Sequence, residues 1–120
     1  MATKKIFIVE DEILLLCELE DLILQLGYEV AGTASSVDIA LSRLADGPVP
    51  DLAILDLNLN GAPSEPVADY LIAAGVPVIF VSGYGSSGLS ERYSGADVLQ
   101  KPYNDVALAE ALERALTLKA

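Results

Sequence analysis

Short, wholly apolar runs alternate along this chain with longer segments whose apolar residues recur every three or four positions. Lys5-Ile6-Phe7-Ile8-Val9 reads as a strand and runs into Glu10-Asp11-Glu12. A helix follows, with Leu15, Leu19, Leu22, Ile23 and Leu26 on one face and Gly27 as its stop. Ile13, Leu14, Leu16 and Leu24 fall off that face. Residues 28–33 read as a half-exposed edge strand. Ser35 or Ser36 then caps a helix carrying Val37, Ala40, Leu41 and Leu44, which ends near Asp46-Gly47-Pro48. Leu52-Ala53-Ile54-Leu55, bounded by Pro50 before and by Asn58 and Gly61 after, reads as a strand buried on both faces. Ser64 with Pro66 opens a helix (Val67, Leu71, Ala74) that Gly75 stops. Residues 77–82 form a fourth strand and residues 97–100 a fifth, leading to Lys101-Pro102. Asn104 caps a last helix with Leu108, Leu112, Ala115 and Leu116 on its apolar face. Between the last two strands, residues 83–95 hold four glycines and four serines, which predicts a short and mobile helix at most.

Strands alternating with helices five times imply a parallel sheet with helices on both faces. Right-handed crossovers and one reversal of winding give the order 2-1-3-4-5, a doubly wound, flavodoxin-like α/β sandwich of three layers. At 120 residues the chain has room for one domain with a real core. No repeat, linker or low-complexity tail divides it, so residues 1–120 are expected to be one domain with no effector domain.

Composition narrows the function. Seven basic residues against eighteen acidic ones give a net charge of −11, which disfavours direct binding of nucleic acid. The absence of histidine excludes His-based catalysis and His metal ligation. A single cysteine, no leader-like start and no apolar run near the ~20 residues that span a bilayer point to a reduced, cytoplasmic protein with no membrane partner.

The strand ends carry the chemistry. A buried strand should end in something neutral, yet the third ends in Asp56, where an Asx turn would be the ordinary explanation. In open parallel sheets, however, ligands bind beyond the carboxyl ends of the strands. The first strand ends in Glu10 and Asp11, the fourth in Ser82 and the fifth in Lys101. With the first and third strands adjacent, three carboxylates share one crevice, and like charges so close need a cation among them or a proton. An oxygen-seeking ion, Mg2+ above all, suits that donor set, while the lack of His and of paired Cys argues against zinc. A carboxylate beside Mg2+, with a hydroxyl on one side and an ammonium on the other, is equipment for forming an aspartyl phosphate. Each residue alone has a plainer reading: helix-terminal charges for Glu10 and Asp11, a turn for Ser82, a surface lysine for Lys101. Their coincidence at matching strand ends favours the functional one.

Val9-Glu10-Asp11-Glu12, Leu55-Asp56, Val81-Ser82-Gly83 and Leu99-Gln100-Lys101-Pro102-Tyr103 resemble the receiver domain of bacterial two-component response regulators over the whole chain. The resemblance implies Asp56 as phosphoacceptor and Glu10, Asp11, Asp56 and the main-chain carbonyl of Asn58 as Mg2+ ligands. It also implies Ser82 as switch hydroxyl and Lys101 as phosphate-bridging lysine, with a cis peptide before Pro102. It implies a histidine kinase or histidine phosphotransfer protein as donor and a protein partner for output. Ile13, Leu14, Leu16 and Leu24 read either as scattered surface leucines or as a docking patch beside the crevice, where such domains meet the donor.

The chain also departs from the family pattern. Glu10 stands where Asp is commoner, which favours a water-mediated metal contact. Leu59-Asn60-Gly61 replaces the usual Met-Pro, and Val98 occupies the place of the switch aromatic. Phe80-Val81-Ser82-Gly83-Tyr84-Gly85 is similar to the motif naming the FATGUY group of single-domain regulators. Tyr84 and the segment after Ser82 are therefore expected to carry the conformational change. Two other classes share the architecture. An aspartate-nucleophile phosphatase of the haloacid dehalogenase type would want Asp at Asn58 and a cap insertion. A flavin-binding module would want a Ser/Thr-rich loop where Glu10-Asp11-Glu12 stands.

Overall fold

The three central strands of the sheet are apolar on both sides and can leave water only between two layers of helix, and this is the arrangement observed. The computed structural model describes residues 3–59, 61–83, 93 and 96–119. Strands β1 (Lys5–Val9), β2 (Glu29–Ala34), β3 (Leu52–Asp56), β6 (Val78–Ser82) and β7 (Asp97–Gln100) form one sheet, ordered β2-β1-β3-β6-β7. All its pairings are parallel. A two-stranded hairpin, β4 (Asn58–Leu59) with β5 (Ala62–Pro63), adds two strands to the numbering. The sheet order is therefore the expected 2-1-3-4-5. The helices are α1 (Ile13–Gln25), α2 (Val37–Asp46), α3 (Glu65–Ala73) and α4 (Asp105–Lys119). None of the described helices is long and apolar enough to cross a membrane. The helix expected within residues 83–95 lies outside the described residues, apart from Gly83 and Tyr93.

The twofold period of a strand divides the core in two. Ile6, Ile8, Leu52, Ile54, Ile79, Val81 and Leu99 meet Leu16, Leu19 and Ile23 of α1 and Leu108, Ala111 and Leu112 of α4. On the other face Phe7, Val9, Ala53, Leu55, Val78 and Phe80 meet Ala40 and Leu44 of α2 and Val67, Ala68 and Leu71 of α3.

Some positions differ from the periodicity reading. Leu16 is buried, and Leu15 and Leu22 are only partly so, because the apolar arc of α1 is wider than the sheet can cover. The sheet takes its centre, Leu16-Leu19-Ile23, and leaves Leu15 and Leu22 at the edge beside Tyr103. Leu26 is the exposed C-cap, and Ala68 rather than the exposed Ala74 faces the core from α3. Ser36 is the cap of α2, its Oγ accepting the Ile39 N–H at 3.2 Å. Asn104 caps α4, Oδ1 accepting the Ala107 N–H at 2.8 Å.

Tyr93, which periodicity did not single out, is 3% exposed. Its ring packs against Phe80 with centroids 5.4 Å apart, and its hydroxyl donates to Asp69 on α3. A buried hydroxyl bonded to a carboxylate stabilises by more than its area alone, although Asp69 can rehydrate if the bond is lost. Tyr93→Phe should therefore cost about 1 kcal/mol in urea unfolding, with the native fold kept.

Candidate functional site

At the carboxyl end of the sheet, main-chain hydrogen bonds run one residue past the strands. The Glu10 N–H donates to the Ala34 carbonyl at 3.0 Å, that of Leu57 to Val81 at 2.9 Å, and that of Lys101 to Ser82 at 2.8 Å. Glu10 and Lys101 are thus held to the last residue of a neighbouring strand, and Asp56 is held through the residue that follows it. Parity does the rest. Glu10 continues the Ile6–Ile8 row, Asp56 the Leu52–Ile54 row, and Lys101 follows Leu99, so all three extend rows that face α1 and α4.

These rows converge. Carboxylate oxygens of Glu10, Asp11 and Asp56 lie within 4.8 Å of one another. The Lys101 ammonium stands between two of them, 3.1 Å from Asp56 Oδ2 and 3.3 Å from Glu10 Oε1. Asp56 Oδ1 accepts the Asn58 N–H at 3.2 Å, and Glu10 Oε2 accepts the Glu12 N–H at 3.1 Å. Glu12 is the N-cap of α1, so the positive end of that helix also faces the acids. Ser82 is buried at the end of β6; the register sets Val81 against Asp56, which leaves Ser82 one step beyond. Every residue expected at the site lies at this end of the sheet, and the peptide bond before Pro102 is cis.

Glu10 is 2% exposed, and burial, reinforced by the hydrogen bond and charge of Asp56, raises its pKa from 4.5 to about 7. The Glu12 N–H opposes that shift. Burial pushes the Lys101 pKa down, but the hydrogen bond and charge of Asp56, helped by Glu10, outweigh it and leave the pKa raised. Asp56 enters both shifts, disfavouring charge on Glu10 and favouring it on Lys101.

Two further features adjoin the crevice. A groove of about 730 Å3, lined by Leu15, Leu22, Pro102 and Tyr103 with Glu18 and Asp21, runs between α1 and the start of α4. Ile13 and Leu14, 65% and 78% exposed, lie at the first turn of α1.

A model of the response regulator receiver domain matches residues 6–113. The chain belongs to that family. It is 34% identical over 119 residues to the phyllosphere-induced regulator PhyR of Methylorubrum extorquens, a match covering 97% of this chain and 44% of that protein. The solution structure of SdrG from Sphingomonas melonis matches with a TM-score of 0.84 and 40% identity, over 97% of this chain and 99% of that one. The PhyR receiver domain of Erythrobacter litoralis matches with a TM-score of 0.86 and 28% identity, over 98% and 92%. The chain spans about half the length of the curated relatives it matches.

In this receiver domain, periodicity missed the β4–β5 hairpin and the part that Ser64 plays in it. Asn60-Gly61 after an apolar run is a strong hairpin signal, and it was available.

The raised Glu10 pKa has a measurable consequence. The folded protein keeps this proton to higher pH than the unfolded chain does. The stability associated with it is complete below about 4.5 and is lost as pH rises towards about 7. In EDTA, Glu10→Gln should gain on the wild type in urea stability between those two pH values, since the amide cannot ionise. A pH-independent difference between the two proteins would contradict the shift.

Proposed function

We propose that this receiver domain is a phosphoacceptor, taking a phosphoryl group from a phosphohistidine onto Asp56. The observation that carries the reading is the Lys101 ammonium held between Asp56 and Glu10 inside a three-carboxylate cluster. One Asp56 oxygen attacks phosphorus; the O–P bond forms as the P–N bond breaks, and the electron pair stays on the departing imidazole nitrogen. Lys101, already at hydrogen-bond distance from Oδ2, can follow charge onto the phosphoryl oxygens. The Asn58 N–H orients the carboxylate through Oδ1. The Ser82 hydroxyl, at the next strand end, donates to a phosphoryl oxygen once one is present.

The donor set suits a hard divalent ion: three carboxylates within 4.8 Å, with no histidine in the chain and its one cysteine exposed on α1. Glu10, Asp11, Asp56 and the Asn58 carbonyl would hold Mg2+, which when bound supplies positive charge to the phosphoryl oxygens. The groove between α1 and α4, with the exposed Ile13 and Leu14 beside the crevice, would seat the helices of a histidine kinase or phosphotransfer protein. Output would pass through a protein partner. Asn58, where an aspartate-nucleophile phosphatase wants a carboxylic acid, speaks for phosphoryl storage over ester turnover.

Mg2+ at 100-fold excess over its Kd should stabilise the protein by roughly 2.7 kcal/mol, because it binds only the folded cluster. A melting temperature equal in millimolar Mg2+ and in EDTA would count against the site. With Mg2+ and a small phosphodonor, intact mass should rise by one phosphoryl group, and Asp56→Asn should lose the gain. Persistent labelling of that variant would remove Asp56 from its role. Lys101→Ala should still bind Mg2+ and be labelled much more slowly than the wild type.

A further inference from the structure

Ser64, at 0% exposure, is more deeply buried than any acid of the cluster. It stands at the N-cap position of α3 but makes no side-chain cap. Both of its donors go to a single acceptor instead: Oγ and the main-chain N–H reach the Leu57 carbonyl at 3.1 and 3.2 Å. Leu57 directly follows Asp56, and its own N–H is held by the Val81 carbonyl. The residue after Asp56 is therefore gripped on one side by β6 and on the other by Ser64.

The grip sets the phase of the hairpin. Opposed residues of an antiparallel ladder alternate between hydrogen-bonded and non-bonded positions. Ser64 bonded to Leu57 makes the next opposed residues, Asn58 and Pro63, a non-bonded position, and proline has no N–H to offer there. The N–H and carbonyl of one strand residue point the same way, so both leave the ladder at Asn58. The N–H lands on Asp56 Oδ1, which shows the direction. Asn58 Oδ1 accepts the Gly61 N–H at 2.9 Å, and Gly61 has φ +85°, where only glycine is unstrained.

We propose that Ser64 is a positioning residue for the divalent-cation site, its hydroxyl reinforcing the main-chain bond to Leu57 that sets the hairpin phase and presents the Asn58 carbonyl to the crevice. This rests on the phosphoacceptor reading and extends it to a residue outside the carboxylate cluster. A serine that only filled the core would change stability and leave ion affinity alone.

The test is Mg2+ affinity of the metal-free full chain, read from amide NMR shifts at residues 56–58. Supporting residues of metal sites typically contribute ten- to a hundredfold to affinity, so Ser64→Ala should weaken Mg2+ binding about tenfold or more. Ser36→Ala, which removes the α2 cap on another element, should lower stability with Kd unchanged. Gly61→Ala meets no atom within 4 Å and only strains the turn, so it should weaken Mg2+ as Ser64→Ala does. A folded Ser64→Ala with the Kd of the wild type overturns the proposal. If that variant fails to fold, Gly61→Ala decides, and an unchanged Kd overturns it equally. Absence of any saturable Mg2+ response in the wild type would instead overturn the phosphoacceptor reading beneath.

Discussion

Three carboxylates within 4.8 Å at the end of an apolar sheet are tolerable only if positive charge is held among them or one of them keeps its proton. Lys101 pairs with two of the three, Asp56 and Glu10. That side chain is kept in place by backbone, since the Lys101 N–H is tied to the Ser82 carbonyl and β7 runs parallel to β6. The sheet order places β7 two strands away from β3, and a lysine stem is long enough to reach back over the β6 end to Asp56. The raised Glu10 pKa comes first from burial and then from Asp56, while Asp56 and Glu10 together raise that of Lys101.

Much of this could be read from the sequence because strands carry their information in a period of two. Once Leu52 to Leu55 is recognised as a strand buried on both sides, Asp56 is an anomaly, and the anomaly marks the site. The sheet order followed from crossover handedness, and the order alone put Glu10 and Asp11 beside Asp56. What stayed illegible has a physical reason. Leu15, Leu16, Leu19, Leu22 and Ile23 cover too wide an arc for periodicity to choose its centre, and only the width of the sheet decides. Tyr93 was hidden among glycines and serines. Its burial depends on Phe80 and α3, which no local pattern reports.

The hairpin shows how a short turn signal gains meaning from its position. Asn60-Gly61 predicts a tight turn anywhere. Placed just after Asp56, with Pro63 opposite Asn58 and Ser64 behind, it accompanies an Asn58 N–H that donates to Asp56 Oδ1. The Asn58 carbonyl, as the ligand proposed above, would keep its direction without a side-chain rotamer to freeze. It also adds no further negative charge to a crevice that already has an excess.

The site also divides along the faces of the sheet. Glu10, Asp56 and Lys101 extend rows that pack on α1 and α4, whereas Ser82 shares parity with Val78 and Phe80, which pack toward α3. Asp56 and Ser82 therefore extend rows that belong to opposite layers of the sheet. On the Ser82 side, Phe80 carries the ring of Tyr93, and the Tyr93 hydroxyl holds Asp69 of α3. The helix held in this way begins at Glu65, directly after Ser64 and its two bonds to Leu57. A chain of contacts thus runs from Leu57, next to Asp56, through Ser64, α3 and Tyr93 to Phe80, two residues before Ser82. With Val98 standing where the family pattern has an aromatic, the Tyr93 ring on Phe80 is an aromatic contact on this α3 side of the sheet.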